Sequence, residues 1–168
     1  LVPRGVRAQT LIQPETLPMP KPALLPTALS LALSLAAGAA FAQADPLAAA
    51  AAEPGAVVTE SGLVYRSIKP GKGASPKGID SVRVHYRGTF TDGREFDSSY
   101  KRGEPATFPL NRVIKCWTEG VARMKVGETA RLTCPAAIAY GDKGAGNGLI
   151  PPGSVLRFEV ELLGIVTP

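Results

Sequence analysis

The sequence predicts an α+β domain over residues 60–166, an antiparallel sheet packed against one short helix. Apolar and polar residues alternate at Val82, Val84 and Tyr86 and again at Phe158, Val160 and Leu162, the period of a strand buried on one face. An Asp-Gly pair at Asp92 and Gly93 separates the first of these runs from Glu95-Phe96-Asp97, a strong hairpin signal. Helical spacing is indicated at one place, where Trp117, Val121 and Met124 fall at i, i+4 and i+7, so a single helix must cover one face of the sheet.

The part before residue 60 reads differently. Leu1 to Gly5 is Leu-Val-Pro-Arg-Gly, the recognition sequence of a protease used to remove purification tags, and 1–18 is taken as expression scar or untranslated upstream sequence. Met19 is a plausible start: Lys21 gives a weakly positive n-region, Leu24 to Leu35 a mostly apolar stretch, and Ala40-Phe41-Ala42 an A-x-A cleavage site. Residues 19–42 are therefore expected to be a signal peptide cleaved near Ala42, giving an exported protein. A membrane anchor is disfavoured, because a spanning helix needs about 20 strongly apolar residues and this run is broken by Pro26, Ser30, Ser34 and Gly38. Residues 43–59 have no aromatic residue and no alternation, so they are expected to form an Ala/Pro-rich flexible tether. The alanine run Ala48 to Ala52 is too short to persist as an isolated helix.

Beyond Glu60 each element follows from its pattern. Leu63 to Lys69 is the first strand, and Val82 to Tyr86 the second, with His85 on its polar side. Thr129 to Pro135 is a further hairpin element, and Arg157, Glu159 and Glu161 mark the wet face of the last strand. The helix follows Val113-Ile114-Lys115-Cys116 and ends before Gly127.

Several classes of chemistry are disfavoured. The 19 Lys and Arg and 14 Asp and Glu, less Arg4, Arg7, Lys21 and Glu15, leave 16 against 13 from Gln43 onward, a net of +3 too mild for nucleic-acid binding. His85 is the sole histidine and the two cysteines stand 18 positions apart, which argues against a metal site. The same single imidazole, with no G-x-S-x-G elbow, argues against a hydrolase. Gly141 to Gly148 is glycine-rich but runs into Leu149-Ile150-Pro151-Pro152 rather than into a helix, so it does not read as a phosphate loop. What remains is a set of aromatic and apolar residues at strand ends and turns, most of which would ordinarily be core.

Taken together, Val84-His85-Tyr86-Arg87-Gly88, Asp92-Gly93-Arg94-Glu95-Phe96-Asp97-Ser98-Ser99, Val113 to Val121 (Val-Ile-Lys-Cys-Trp-Thr-Glu-Gly-Val), Ala139-Tyr140-Gly141, Ile150-Pro151-Pro152 and Phe158-Glu159-Val160-Glu161-Leu162-Leu163 resemble the FKBP family of peptidyl-prolyl cis/trans isomerases. The resemblance covers nearly all of 60–166 and none of the front. It implies a five- to six-stranded antiparallel sheet wrapped around one short helix, with a ligand pocket between them. It places Trp117 at the pocket floor, Tyr86, Phe96, Phe108, Val113, Ile114, Ile150 and Phe158 in its walls, and Leu149 as a weaker wall residue. Asp97 near the mouth and the Tyr140 hydroxyl are the implied polar members, with the Ile114 backbone N–H a further donor. Asp97, Tyr140 and Trp117 are thus the implied catalytic residues, and no cofactor or metal is required.

The resemblance also implies a partner class: proline-containing polypeptides, with macrolides of the FK506 and rapamycin type as inhibitors. A monomer without stable membrane insertion after signal cleavage is expected, working in the periplasm. Ala106 stands where the family often has an aromatic residue, and the Phe108 to Val113 connection is shorter than in small cytosolic members, both traits of the bacterial exported branch. Cys116 replaces the small residue that usually precedes the indole, and Cys134 falls on a strand implied to pass close by. A disulfide between them is expected, with two buried free thiols as the alternative. The competing function is a non-catalytic module that holds proline peptides or unfolded chains in the same groove.

Overall fold

The computed structural model describes residues 45–166. The signal peptide expected at 19–42 and the segment 1–18 lie outside the described residues. Ten helices and strands follow one another: α1 (Pro46–Ala51), β1 (Ala56–Val58), β2 (Val64–Lys69), β3 (Ser81–Phe90), β4 (Glu95–Ser98), α2 (Ser99–Arg102), β5 (Ala106–Pro109), α3 (Lys115–Arg123), β6 (Thr129–Cys134) and β7 (Leu156–Val166). Single 3-10 turns lie at Leu110–Arg112 and Ala136–Ile138.

All seven strands form one antiparallel sheet in the order β1-β2-β6-β7-β3-β4, with β5 pairing the first half of β3. β7 occupies the centre, which its sequence explains: Leu156, Phe158, Val160 and Leu162 are buried on one side. β3 runs beside it with Val82, Val84 and Tyr86 buried and Arg83 and Arg87 exposed, as the alternation predicts. The Asp-Gly hairpin is present: the Phe90 N–H donates to the Arg94 carbonyl at 2.8 Å, and Gly93 takes φ 88°, a left-handed conformation that glycine adopts without steric penalty.

The helix α3 lies on the buried face. Cys116, Trp117, Gly120 and Val121 point into the core, which also contains Leu63, Leu110, Met124 and Leu132. Gly120 permits this close seating, since a Cβ there would stand 2.7 Å from Leu132 Cδ1. Thr118 fastens the first turn by donating from Oγ1 to the Leu110 carbonyl at 2.5 Å. A second fastening is covalent: Cys116 on α3 and Cys134 at the end of β6 form a disulfide across a Cα–Cα distance of 5.9 Å, so the free-thiol alternative falls away.

The expected antiparallel sheet packed on a short helix is present, and one expectation about the segment before it needs correction. Residues 45–59 are not a tether: Asp45 caps α1 by accepting from the Leu47 N–H, Ala50 is buried, and β1 extends the sheet past β2. Glu53 holds this segment to the sheet through ion pairs with Arg66 at 2.6 Å and Arg131 at 3.3 Å. The sheet accordingly has seven strands. The helix α3 is joined by α1 and by the four-residue α2, which Gly103 ends at φ 76°. Among the described residues no helix is long and apolar enough to cross a membrane.

Candidate functional site

Between α3 and the concave side of β3 and β7 lies a cavity of about 310 Å³ lined by Tyr86, Phe96, Asp97, Phe108, Arg112, Val113, Ile114, Trp117, Tyr140 and Phe158. Its floor is the Trp117 indole, only 5% exposed, from the first turn of α3. Tyr86, Phe108 and Phe158 meet this ring edge to face, at centroid distances of 5.2, 5.7 and 5.5 Å and interplanar angles of 86°, 90° and 89°. Such perpendicular contacts suit the ring quadrupoles and add about 0.5–1.5 kcal/mol per pair beyond area burial. Phe96 joins the wall through a T-shaped contact with Phe158 at 5.7 Å. Gly88 makes room for it: a Cβ there would come within 2.6 Å of Phe96 Cζ and 3.1 Å of Phe158 Cε1.

The polar side of the cavity is a closed network. The Tyr86 hydroxyl donates to Asp97 Oδ2 at 2.5 Å, Arg102 Nη1 donates to Asp97 Oδ1 at 2.5 Å, and Arg102 Nη2 donates to the Tyr86 hydroxyl at 2.8 Å. Burial pushes the Asp97 carboxyl up, but the hydrogen bonds from Tyr86 and Arg102 outweigh it and hold the group below its ordinary range. Burial first, and then the hydrogen bond to Asp97, push the Tyr86 phenol up. Ser99, fully buried, fixes the backbone behind this network: its Oγ accepts from the Tyr86 N–H at 2.8 Å and donates to the Tyr86 carbonyl at 3.2 Å.

Tyr140 borders the cavity at 38% exposure, and its phenol is raised by burial and by the Asp97 charge. Ile114 is the N-cap of α3; its carbonyl accepts from the N–H groups of Trp117 and Thr118. The indole Nε1 is buried and has no hydrogen-bond partner among the described residues.

Of the site residues expected from the sequence, the cavity brings together Asp97, Tyr140, Trp117, Tyr86, Phe96, Phe108, Val113, Ile114 and Phe158. It does not include Leu149 or Ile150. Leu149 is 56% exposed, whereas Ile150, joined to Ala145 across the loop by a two-way backbone bridge, is buried in the same core cluster as Tyr86, Trp117 and Phe158. Gly144 makes that loop possible: it has φ 66°, and a Cβ would stand 2.1 Å from the Ile150 carbonyl oxygen. Two arginines escaped sequence reasoning. Arg102 sits five residues after Asp97 on a helix too short to show a periodicity, and Arg112 ends the 3-10 turn just before Val113.

The sequence profile of the FKBP-type peptidyl-prolyl cis-trans isomerase family matches residues 72–163, more than half of the chain. The chain belongs to this family. The chain is 57% identical over 122 residues to the FKBP-type peptidyl-prolyl cis-trans isomerase FkpA of Aeromonas hydrophila, covering 73% of this chain and 45% of that protein. It is 56% identical over 108 residues to the FKBP-type 22 kDa peptidyl-prolyl cis-trans isomerase of Escherichia coli, covering 64% and 52% respectively. FK506-binding protein 1 of Dictyostelium discoideum is 53% identical over 104 residues, 61% of this chain and 96% of that protein. Among solved structures, that of FkpA from Escherichia coli superposes with a TM-score of 0.68 at 46% identity, covering 71% of this chain and 55% of that one. The FKBP fold of AtFKBP13 gives 0.61 at 39% identity, over 66% and 98%. The chain spans about half the length of the bacterial curated relatives it matches.

Proposed function

We propose that this FKBP domain catalyses cis/trans isomerisation of X-Pro bonds in polypeptides. The observation that carries the reading is the aromatic cavity floored by Trp117 with the Asp97, Tyr86 and Arg102 network on one side. A peptide bond resists rotation by ~18–20 kcal/mol because resonance spreads charge between oxygen and nitrogen, and twisting removes that charge separation. An apolar cavity solvates the planar amide less well than water does, while the twisted amide loses less on entering, so the twisted state is bound comparatively better. Trp117 and its three ring partners supply the apolar surface. Tyr140 supplies a donor for a substrate carbonyl, and Asp97, kept ionised, fixes the Tyr86 ring in the wall.

The substrate class follows as proline-containing polypeptides, with FK506- or rapamycin-type macrolides as competitive occupants of the cavity. Export to the periplasm, with cleavage near Ala42, rests on the sequence pattern of residues 19–42, and the Cys116–Cys134 bridge supports an oxidising compartment. A monomer is proposed for the exported form. The test is the cis to trans rate of a short X-Pro peptide with and without such a macrolide. Macrolide-sensitive acceleration is expected; binding of the peptide without acceleration would replace the isomerase by the proline-peptide holding module.

A further inference from the structure

The mouth of the cavity carries a charge that the isomerase reading leaves unused. Asp97 and Arg112 are both in its lining, and Arg102 reaches Asp97 from outside. The Asp97 carboxylate is offset by Arg102 and further satisfied by the Tyr86 hydroxyl. Arg112 is exposed and has no carboxylate within 4.0 Å among the described residues. The mouth is therefore left with one uncompensated positive charge, on the 3-10 turn that leads directly into the wall residues Val113 and Ile114. Neighbouring Cα atoms of a peptide are ~3.8 Å apart, so a residue flanking a proline seated in the cavity lies within the span of an arginine side chain.

We propose that Arg112 is a specificity-determining residue that favours prolines with a glutamate or aspartate on one flank and disfavours those flanked by lysine. The inference rests on the isomerase reading and adds a preference that the apolar walls alone cannot supply. Such walls distinguish flanking side chains by size and apolarity, whereas a guanidinium at the rim of a cleft sorts them by sign. An exposed ion pair gives up to about fivefold in affinity, so exchanging attraction for repulsion gives a Glu-to-Lys ratio in kcat/KM of about three to ten at low salt. Because the pair is exposed, the ratio falls toward one as added salt shortens the Debye length from ~30 Å at 0.01 M to ~3 Å at 1 M.

The experiment uses blocked, otherwise uncharged peptides with Glu, Leu or Lys immediately before or after the proline. Isomerisation is followed by NMR exchange for the wild type, Arg112→Gln and Arg112→Glu, and each ratio is taken within one variant. The expected result is a Glu-to-Lys ratio above three in the wild type for one flank, near one in Arg112→Gln, and below one in Arg112→Glu. A wild-type ratio of one on both flanks overturns the proposal, as does a ratio that survives in Arg112→Gln, which would assign the preference to another cation such as Lys115. If even the Leu peptide is not turned over, the isomerase reading fails separately, and the Glu-to-Lys ratio of peptide affinities from the same spectra decides the role of Arg112.

Discussion

Reduction of the Cys116–Cys134 bridge should lower the stability of the domain by about 3 kcal/mol. The bridge joins residues 18 apart, and a cross-link closing a loop of that size removes close to 11 cal/mol/K from the unfolded chain, or about 3 kcal/mol at 25 °C. Reduction is the cleaner perturbation than substitution, because both sulfurs are fully buried and two thiols fill nearly the same space, leaving the cavity term close to zero. The assay is urea unfolding followed by far-ultraviolet circular dichroism, with and without reductant. For m of ~1–3 kcal/mol/M the midpoint should fall by about 1–3 M. Since the entropic effect acts on the unfolded chain, prolyl isomerase activity of the reduced but folded protein in dilute urea should be nearly unchanged. A Cys116→Ala/Cys134→Ala variant should show no response to reductant. An unchanged midpoint in the wild type, or two reactive thiols in the folded unreduced protein, would refute the reasoning.

The other predictions concern the cavity. Tyr140→Phe should reduce kcat/KM by about two- to tenfold, the worth of one neutral hydrogen bond; complete loss in the peptide assay would shift the mechanism from desolvation to hydrogen bonding. Gly88→Ala drives a methyl group into the Phe96 and Phe158 rings, so it should destabilise by about 1–3 kcal/mol and change kcat/KM as well. A variant matching the wild type in both melting and turnover would mean the rings do not meet there. The Asp97 carboxyl has a folded pKa below its unfolded value of 3.8, so its stabilising contribution is present above that value and disappears as pH falls through the lower folded one. Asp97→Asn should therefore show a shallower loss of stability on acidification below about pH 4 than the wild type, read from urea midpoints across that range. Equal slopes would show that Asp97 titrates alike in both states.

The strands were legible where burial is one-sided. β3 and β7 declare themselves because each alternates over several residues against a single core, and the Asp92-Gly93 turn sets the partner β4 by local chemistry alone. Trp117 at the cavity floor was legible only through family resemblance, since an aromatic residue at helical spacing is ordinarily core, and here it is core and floor at once. The order of the segment 45–59 is illegible in the sequence because it is long-range: Glu53 finds Arg66 and Arg131 across 13 and 78 residues, a pairing invisible to any local window. The path of the chain at Leu149 and Ile150 is likewise set by features no local pattern shows, the bridge between Ala145 and Ile150 and the left-handed glycines that turn the loop. Arg112 carried no pattern at all; an arginine in a single 3-10 turn becomes informative only once its neighbours Val113 and Ile114 are known to form a wall.

The chain contains one tryptophan, and it is the residue on which the three perpendicular rings converge, next in sequence to a disulfide. Tryptophan emission of the protein therefore originates at the bottom of the cavity. A guest settling on the indole displaces solvent from its face and shifts the emission colour, while opening the neighbouring sulfur bridge removes a quencher and brightens it. The molecule carries its own optical gauge of occupancy and oxidation, with no dye attached and no second chromophore of that kind to subtract.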